Sequence, residues 1–425
     1  MPLFTDYLAR CNYLLEAGNP VSDVLMYLGD EQNHKPPQLL PFPDGYLYDY
    51  CNPDMLLNRL SMSNGKLVTP EGIQYSVLWL YDCKRMLPET LEKIAEFVED
   101  GLIVAGDMPM GLATLSGGDE AVHRFNKAVE MLWANGDQNS LKLGKGKVYN
   151  TSDINSVLME ESLMPDIMCN DSDLRWLHRQ TNESDIYFIS TLPDKGFKGI
   201  VGFRSKGNVE IWDPLTGDIV SANANVNDEY TEVELDIMEG NSCFVVINNK
   251  ELSKPYKSYK QTAILDLTNV SWQIDFPSGW GTEGTPIFTN KLLAWRDLPL
   301  SDEGKSFSGT AIYDTDITLS KLDNNRYYLN LGKVEFIAKV SVNGEDVGTR
   351  WTSPYKLDVT DFLKQGVNRL RVEVTSTWFN RLVYDAGLDE KERKTWTIAG
   401  PAADMQLKEY GMLGPVYLEM ESIVD

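Results

Sequence analysis

The chain has 425 residues, more than a single hydrophobic core usually covers, so we expect two to four domains. Apolar residues make up 42% and charged residues 24%, as in ordinary globular proteins, and no apolar run is long enough to cross a membrane. The formal net charge of −24 argues against nucleic acid or an anionic membrane as a partner, because both attract Lys and Arg. An acidic surface suits a neutral partner, or it provides solubility alone.

Cysteines and histidines are too few and too scattered to form a disulfide framework or a zinc site. The five cysteines include no CxxC pair, and His34, His123 and His178 lie far apart in the sequence. We therefore predict neither a metal site nor a cofactor in this chain.

The opening residues predict an amphipathic helix that ends before Gly18 and Pro20. Its apolar stripe consists of Phe4, Tyr7, Leu8, Cys11, Leu14 and Leu15. The opening lacks the basic region and the small-residue cleavage site of a signal peptide. A helix this apolar so close to Met1 suggests that the chain begins inside a longer polypeptide and that the stripe packs on another domain.

Residues 1–172 alternate between helix and strand patterns. An apolar run from Tyr75 to Tyr81 predicts a buried strand, a helix follows from near Pro88 to Gly101, and the next strand begins at Leu102. A strand, a helix and a strand joined by short links form a parallel crossover. We predict a flavodoxin-like open α/β sheet for residues 1–172.

Beyond residue 172 the hydrophobic period changes from 3.6 to 2, which is typical of half-buried antiparallel strands. Residues 231–237 and 334–342 alternate in this way, and turn residues separate the short strands. The sequence predicts a β-sandwich over residues 173–262 and a second all-β unit, a jelly roll, over residues 263–425. The predicted fold class is therefore α/β plus all-β, in three domains.

The last unit resembles the sugar-binding, galactose-binding-like jelly-roll domain of family-2 glycoside hydrolases. The segments that carry this resemblance are Gly309–Tyr313, Val342–Gly348, Trp351, Pro354, Tyr355, Leu357–Leu363 and Gly366–Leu370. The Asn-Gly and Gly-Val-Asn turns within them can reverse antiparallel strands.

A second resemblance covers nearly the whole chain, which is similar to the C-terminal half of family-106 α-L-rhamnosidases. It rests on Val21–Leu25, Asp49–Leu60, Trp176–Arg179, Asp185–Phe188, Phe307–Ala311, Trp378–Leu382 and Gly411–Val416. The resemblance implies an N-terminal (β/α)₈ barrel that carries the catalytic carboxylates and the calcium of the family. Because the first 52 residues hold about one helix and one strand, we expect no barrel and no catalytic residues in this chain.

The resemblance also implies a role and a partner. We expect an accessory region that braces a catalytic barrel, binds a plant-type glycan or oligosaccharide, and belongs to an exported parent enzyme. Sugars stack on aromatic rings and form hydrogen bonds with polar side chains. Candidate carbohydrate-binding residues near predicted loops are Trp351, Tyr355, Trp378, Asn380, Arg381, Asp385 and Trp396. Packing residues that fix the loops would give the same pattern.

Other interpretations remain open at this point. His178 and Arg179 lie where the two kinds of pattern meet, so they either project into a neighbouring cleft or form an interdomain contact. A free-standing carbohydrate-binding protein would show the same all-β segments. An amidotransferase-like hydrolase using Cys83 is disfavoured, because a nucleophile at a strained turn needs small neighbours and here has Asp82 and Lys84.

Overall fold

The computed structural model describes residues 2–31, 40–134, 139–171, 173–250 and 259–423. The chain divides into two compact units, here called the first unit (Met1–Leu192, Gly196–Ile237 and Ser242–Tyr256) and the second unit (mainly Lys257–Asp425). The predicted domain 1–172 falls in the first unit, as does most of the predicted domain 173–262. Residues 193–195, 238–241 and those from 259 onward belong to the second unit. Among the described helices, none is long and apolar enough to cross a membrane.

The first unit begins with helices and short strands. Up to residue 168 its elements are α1 (Pro2–Leu15), β1 (Asn19–Pro20), β2 (Val24–Tyr27), β3 (Tyr48–Cys51), a π-helix (Met55–Arg59), β4 (Ser61–Ser63), β5 (Lys66–Val68), β6 (Gln74–Tyr75), β7 (Val77–Trp79), β8 (Arg85–Met86), α2 (Pro88–Glu99), β9 (Ile103–Ala105), β10 (Gly111–Leu112), α3 (Gly118–Trp133), β11 (Ser140–Leu143), β12 (Gly146–Tyr149), α4 (Ile154–Glu160) and β13 (Ile167–Met168).

These elements build an open sheet in the order β11-β12-β9-β7-β2-β3, in which all neighbours except β11 and β12 run parallel. Apolar side chains of α2 and α3 pack in one core cluster with the sheet. Those of α4 pack in a second cluster, which contains different residues of the same strands. The parallel β7–α2–β9 crossover confirms the predicted strand–helix–strand unit.

The sequence predicted one strand from Tyr75 to Tyr81, but the structure divides this run between two strands. Tyr75 pairs with Leu67 in the small sheet β4-β5-β6, and Val77 begins β7 in the large parallel sheet. The break at Ser76 arises because the two halves find hydrogen-bonding partners in different sheets; a continuous apolar pattern cannot reveal such a change.

The rest of the first unit is a sandwich of two sheets. Its strands are β14 (Arg175–Gln180), β15 (Ser184–Ser190), β16 (Phe197–Phe203), β17 (Asn208–Trp212), β18 (Ile219–Ser221), β19 (Ala224–Val226), β20 (Thr231–Ile237) and β21 (Ser242–Asn248). One sheet has the order β1-β14-β15-β21-β17-β18 and the other β13-β16-β20-β19. Strands β1 and β13, from the predicted α/β domain, therefore complete sheets of the sandwich.

Helix α1 explains why β21 is apolar on both faces. Val245 and Ile247 point into the core between the two sheets, whereas Phe244 and Val246 pack with Leu14 and Cys11 of α1. The predicted apolar stripe of α1 is thus divided. Tyr7, Cys11, Leu14 and Leu15 lie against the sandwich, whereas Phe4 and Leu8 are exposed together with Leu3 and Tyr13.

The second unit contains the remaining elements. They are β22 (Tyr259–Asp266), β23 (Trp272–Asp275), β24 (Ile287–Thr289), a 3₁₀ turn (Trp295–Asp297), α5 (Asp302–Lys305), β25 (Thr310–Leu319), β26 (Arg326–Asn330), β27 (Lys333–Glu335), β28 (Ile337–Val342), β29 (Glu345–Arg350), β30 (Lys356–Asp358), a 3₁₀ turn (Thr360–Phe362), β31 (Gly366–Thr375), α6 (Phe379–Ala386), β32 (Gly411–Gly414) and β33 (Tyr417–Ile423).

Two large antiparallel sheets form most of this unit, in the orders β24-β23-β25-β31-β28-β29 and β22-β33-β26-β30, and β27 pairs with β32 in a small separate sheet. The inner faces of the two large sheets enclose one large core that includes Trp272, Trp295 and Tyr313. Strand β22 crosses the predicted boundary at residue 263, because it pairs along its length with the final strand β33. The Asn343-Gly344 hairpin joins β28 and β29 as predicted.

Candidate functional site

The end of β31 places a tryptophan at the surface of the second unit. Trp378 immediately precedes helix α6 and is 49% exposed. The ring of Trp280, from the turn-rich segment after β23, lies edge-on to it, with ring centroids 5.6 Å apart. Such an edge-to-face pair is a favoured aromatic geometry. We call Trp280 and Trp378 the tryptophan pair.

A buried ionic network lies beside the tryptophan pair. The Arg381 side chain is fully buried; its Nη1 donates to Glu303 Oε1 at 2.7 Å and its Nη2 to Asp385 Oδ1 at 2.5 Å. Lys394 Nζ also donates to Glu303 Oε1, at 2.7 Å. The Arg381 guanidinium lies 5.3 Å from the Trp280 ring centroid, within cation–π range. The network therefore holds one face of Trp280.

Asp385 is the most heavily bonded carboxylate of this network. Its Oδ2 accepts hydrogen bonds from the backbone N–H of Thr395 at 2.6 Å, from Thr395 Oγ1 at 2.6 Å and from the backbone N–H of Lys394 at 3.1 Å. Helix α6 is thereby tied to the long segment that leads to β32.

The electrostatic state of the network follows from these contacts. Burial acts to raise the pKa of Asp385, but the hydrogen bonds from Arg381 and Thr395 outweigh it and hold that pKa below its usual value. Hydrogen bonds from Lys394 and Arg381 lower the pKa of Glu303 in the same way. Both carboxylates are therefore ionised at neutral pH, and neither suits the role of a general acid, which requires a raised pKa.

Three of the predicted carbohydrate-binding residues are buried and have a structural role instead. Asn380, Arg381 and Asp385 are buried, and their polar side-chain atoms, apart from Nε of Arg381, form hydrogen bonds inside the domain. Asn380 exchanges two hydrogen bonds with the backbone of Lys408, at 2.9 and 2.7 Å. These side chains support the loops around Trp378 and do not face solvent, because their charges and amides are matched by partners that sequence spacing does not show.

The other predicted aromatic residues differ from one another in how exposed they are. Tyr355 belongs to the core, where its hydroxyl donates to the carbonyl of Phe336 at 2.5 Å and burial raises its pKa to about 12. Trp351 is half-buried just after β29, whereas Trp396 is 77% exposed. Of the predicted aromatic set, Trp378 and Trp396 are the rings with a large exposed area.

His178 and Arg179 both serve contacts inside the first unit. His178 is buried between two carboxylates, with Nδ1 2.7 Å from Asp166 Oδ2 and Nε2 3.0 Å from Asp185 Oδ1. Burial acts to lower the pKa of His178, but the bonds to both carboxylates raise it above its usual value. Arg179 donates to the carbonyls of Ala17 and Gly18, which fixes the chain between α1 and β1.

The geometry around Cys83 does not support a nucleophile. The thiol is buried, with Sγ 3.6 Å from the carbonyl oxygen of Tyr81 and 3.8 Å from that of Tyr27. Burial and the charges of Asp30 and Asp82 raise its pKa, so it is a neutral thiol. His123 is exposed on α3, and no contact with Cys83 occurs in the described part of the chain.

Sequence reasoning missed Trp280, Glu303 and Lys394. A tryptophan inside the Gly-rich segment Ser278–Gly281 is a signal for a surface aromatic residue. Glu303 gave no such signal, since 78 positions separate it from Arg381.

Comparison with known proteins agrees with the architecture of both units. A family model described as alpha-L-rhamnosidase matches residues 1–225. A second model, described as the glycosyl hydrolase 2 galactose-binding domain-like family, matches residues 305–403, a range that includes Trp378, Arg381 and Asp385.

Individual relatives are much longer than this chain. The chain is 33% identical over 274 residues to a putative beta-glucuronidase of Formosa agariphila, which covers 63% of this chain and 22% of that protein. The solved structure of a rhamnosidase from Novosphingobium sp. PP1Y has a TM-score of 0.84 and 28% identity, covering 99% of this chain and 41% of its own. The chain therefore spans about a fifth of the first relative and two fifths of the second.

Proposed function

Because this chain belongs to the α-L-rhamnosidases, glycoside hydrolase family 106, we propose that it is an accessory region of a glycan-degrading enzyme. In this proposal it braces a catalytic barrel and binds carbohydrate at the tryptophan pair, while the acid and base carboxylates lie outside these residues. The similarity of nearly all of this chain to two fifths of a solved rhamnosidase supports the division of roles.

The observation that carries the binding proposal is the half-exposed Trp378 ring edged by Trp280 and supported by a buried ionic network. A sugar ring has apolar C–H faces that stack on such an aromatic ring. Arg381 and Asp385 act as positioning residues, since they fix helix α6 and the segment after it. A rigid platform reduces the ordering cost of binding.

Two further proposals accompany this one. We propose that the α/β part is flavodoxin-like, because its first five parallel strands follow the order 2-1-3-4-5. We also propose that any calcium belongs to the catalytic barrel; among the described residues, no three His, Cys, Asp or Glu side chains meet to hold a metal ion.

The test is a titration of the chain with L-rhamnose and pectic oligosaccharides, followed by NMR. We expect a Kd of about 1 mM, which corresponds to ~4 kcal/mol, because one stacked ring and a few hydrogen bonds offset little more than the entropy of association. Trp378→Ala should abolish the binding without changing the melting temperature. Phe288→Ala, which removes another exposed ring of the same unit, is the matched control and should bind normally.

Two results would contradict the proposal. Absence of chemical-shift changes at high millimolar sugar would leave the second unit as a structural brace. A lower melting temperature in Trp378→Ala that corresponds to a loss of ~3–5 kcal/mol in the free energy of unfolding, as is typical of a buried tryptophan, would identify Trp378 as a core residue instead. If the platform binds but the parent gene encodes no catalytic domain, the alternative of a free-standing carbohydrate-binding protein gains support.

A further inference from the structure

A narrow cleft opens on the first unit, between helix α1 and the β17–β18 hairpin. It has a volume of about 220 Å³ and is lined on one side by Arg10, Tyr13 and Leu14, and on the other by Trp212, Asp213 and Ile219. Pockets for drug-sized ligands hold about 300–1,000 Å³, so this cleft has room for a single small ring.

The walls of the cleft are fixed by contacts that cross it. Arg10 Nη1 donates to the carbonyls of Pro214 and Leu215 at 3.0 and 3.2 Å, which joins α1 to the hairpin turn. Asp213 holds the same turn, since its Oδ1 accepts from the backbone N–H of Leu215 at 2.7 Å. Gly217 lies so close that a Cβ atom there would approach Nε of Arg10 to 3.1 Å. The cleft is therefore preformed.

The lining is chemically selective. Two aromatic rings, Tyr13 and Trp212, and the buried side chains of Leu14 and Phe244 make it predominantly apolar. Arg10 is the one cation and Asp213 the one anion among the lining residues, so their charges cancel and favour a neutral occupant. Such an occupant must offer both hydrogen-bond donors and acceptors beside an apolar surface.

The cleft retains hydrogen-bonding atoms that a ligand can use. Among the described residues, none accepts a hydrogen bond from Nε or Nη2 of Arg10, because both of its bonds use Nη1. Asp213 Oδ2 accepts one bond, from Thr216 Oγ1 at 3.1 Å, and a carboxylate oxygen can accept a second. Tyr13 is 77% exposed and can rest on a ligand without unfolding the helix.

We propose that this cleft is a second carbohydrate-binding site, which takes a single 6-deoxyhexose unit of a glycan. A 6-deoxyhexose combines a neutral set of hydroxyl groups, which can bond to Arg10 and Asp213, with a methyl group, which can contact the apolar lining that includes Leu14 and Phe244. The inference rests on the proposed function, since it assumes that the region meets glycans, but it concerns a site in the other unit.

The experiment titrates the whole chain with L-rhamnose and with L-mannose, which has a hydroxymethyl group in place of the methyl group. We expect amide shifts at Arg10 and Gly217, and about tenfold weaker binding of L-mannose at this site, because an apolar pocket discriminates against an added hydroxyl. Tyr13→Ala should weaken binding about tenfold or more, whereas Tyr13→Phe, which keeps the ring, should stay within about twofold. Tyr50→Ala removes another exposed ring of the first unit and serves as the control.

The outcomes separate this inference from the proposed function. Shifts confined to the Trp378 indole would keep the platform and overturn the second site. Shifts at Arg10 and Gly217 that vanish in Tyr13→Ala while the Trp378 response persists would support the second site. Equal binding of cyclohexanol and L-rhamnose at the cleft would overturn it as well, since the cleft would then recognise apolar surface alone.

Discussion

The buried carboxylate of Asp385 allows the support of the platform to be tested directly. Asp385→Asn keeps the shape of the side chain but removes its charge, so Arg381 keeps Glu303 as its one ionic partner. Removing one partner of a buried ion pair costs roughly 3–5 kcal/mol, because the other charge is left buried without compensation. Since the Glu303 bond remains, we expect a loss of about 3 kcal/mol in the free energy of unfolding of the second unit.

The loss should be visible as a lower melting temperature. For a unit of this size, each 1 kcal/mol lowers Tm by roughly 2–4 °C, so Asp385→Asn should lower it by about 6–12 °C. Urea unfolding followed by tryptophan fluorescence gives the same quantity at constant temperature. The matched control is Asp346→Asn, which breaks the Lys339–Asp346 pair with 44% and 60% exposed side chains. Exposed pairs contribute about 0–1 kcal/mol, so the control should change little.

A double-mutant cycle separates the pair from its surroundings. Arg381→Met removes the buried cation, and the double variant with Asp385→Asn leaves neither charge at the centre of the network. Because both single variants remove the same Arg381–Asp385 interaction, the double variant should be more stable than the sum of the two losses implies. A loss below about 1 kcal/mol for Asp385→Asn, or strict additivity, would refute the view that this network holds the platform.

Three further predictions concern the first unit and the activity of the chain. Because His178 has a raised pKa in the folded state, its contribution to stability is present below about pH 6.5 and is lost as the pH rises through the folded pKa; urea titrations between pH 5 and 9 should show this slope in the parent and not in His178→Gln, with His123→Gln as the control. Cys83 should resist alkylation at pH 8 in the folded chain, because its thiol is buried and neutral; labelling as fast as that of the half-buried Cys169, read by mass spectrometry, would contradict this. The chain by itself should not hydrolyse aryl α-L-rhamnosides; turnover that survives Cys83→Ala and is lost on replacing a carboxylate of this chain would place the catalytic pair here after all.

The sequence by itself determines several local features of this protein. The Asn64-Gly65 and Asn343-Gly344 turns form hairpins with positive φ at all four residues, because these residue types tolerate that conformation. The period-2 alternation of residues 231–237 is matched by alternating burial in β20. The 3.6-residue period after Pro88 gives α2, with its apolar side directed into the core. The family resemblance likewise depends on short segments that need no knowledge of the fold.

Tertiary structure alone decided which polar residues are supports and which surfaces are open. Asn380, Arg381 and Asp385 look like surface polar residues in the sequence, yet all three are buried, because Glu303, Thr395 and the backbone of Lys408 supply their partners. The tryptophan pair brings the segment after β23 next to the end of β31. These segments are far apart in the sequence, so no short-range pattern encodes their contact. The cleft beside α1 likewise exists because the helix docks on the outer face of β21. Periodicity specifies which face of an element is apolar, but the identity of what covers that face depends on contacts between residues that are remote in sequence.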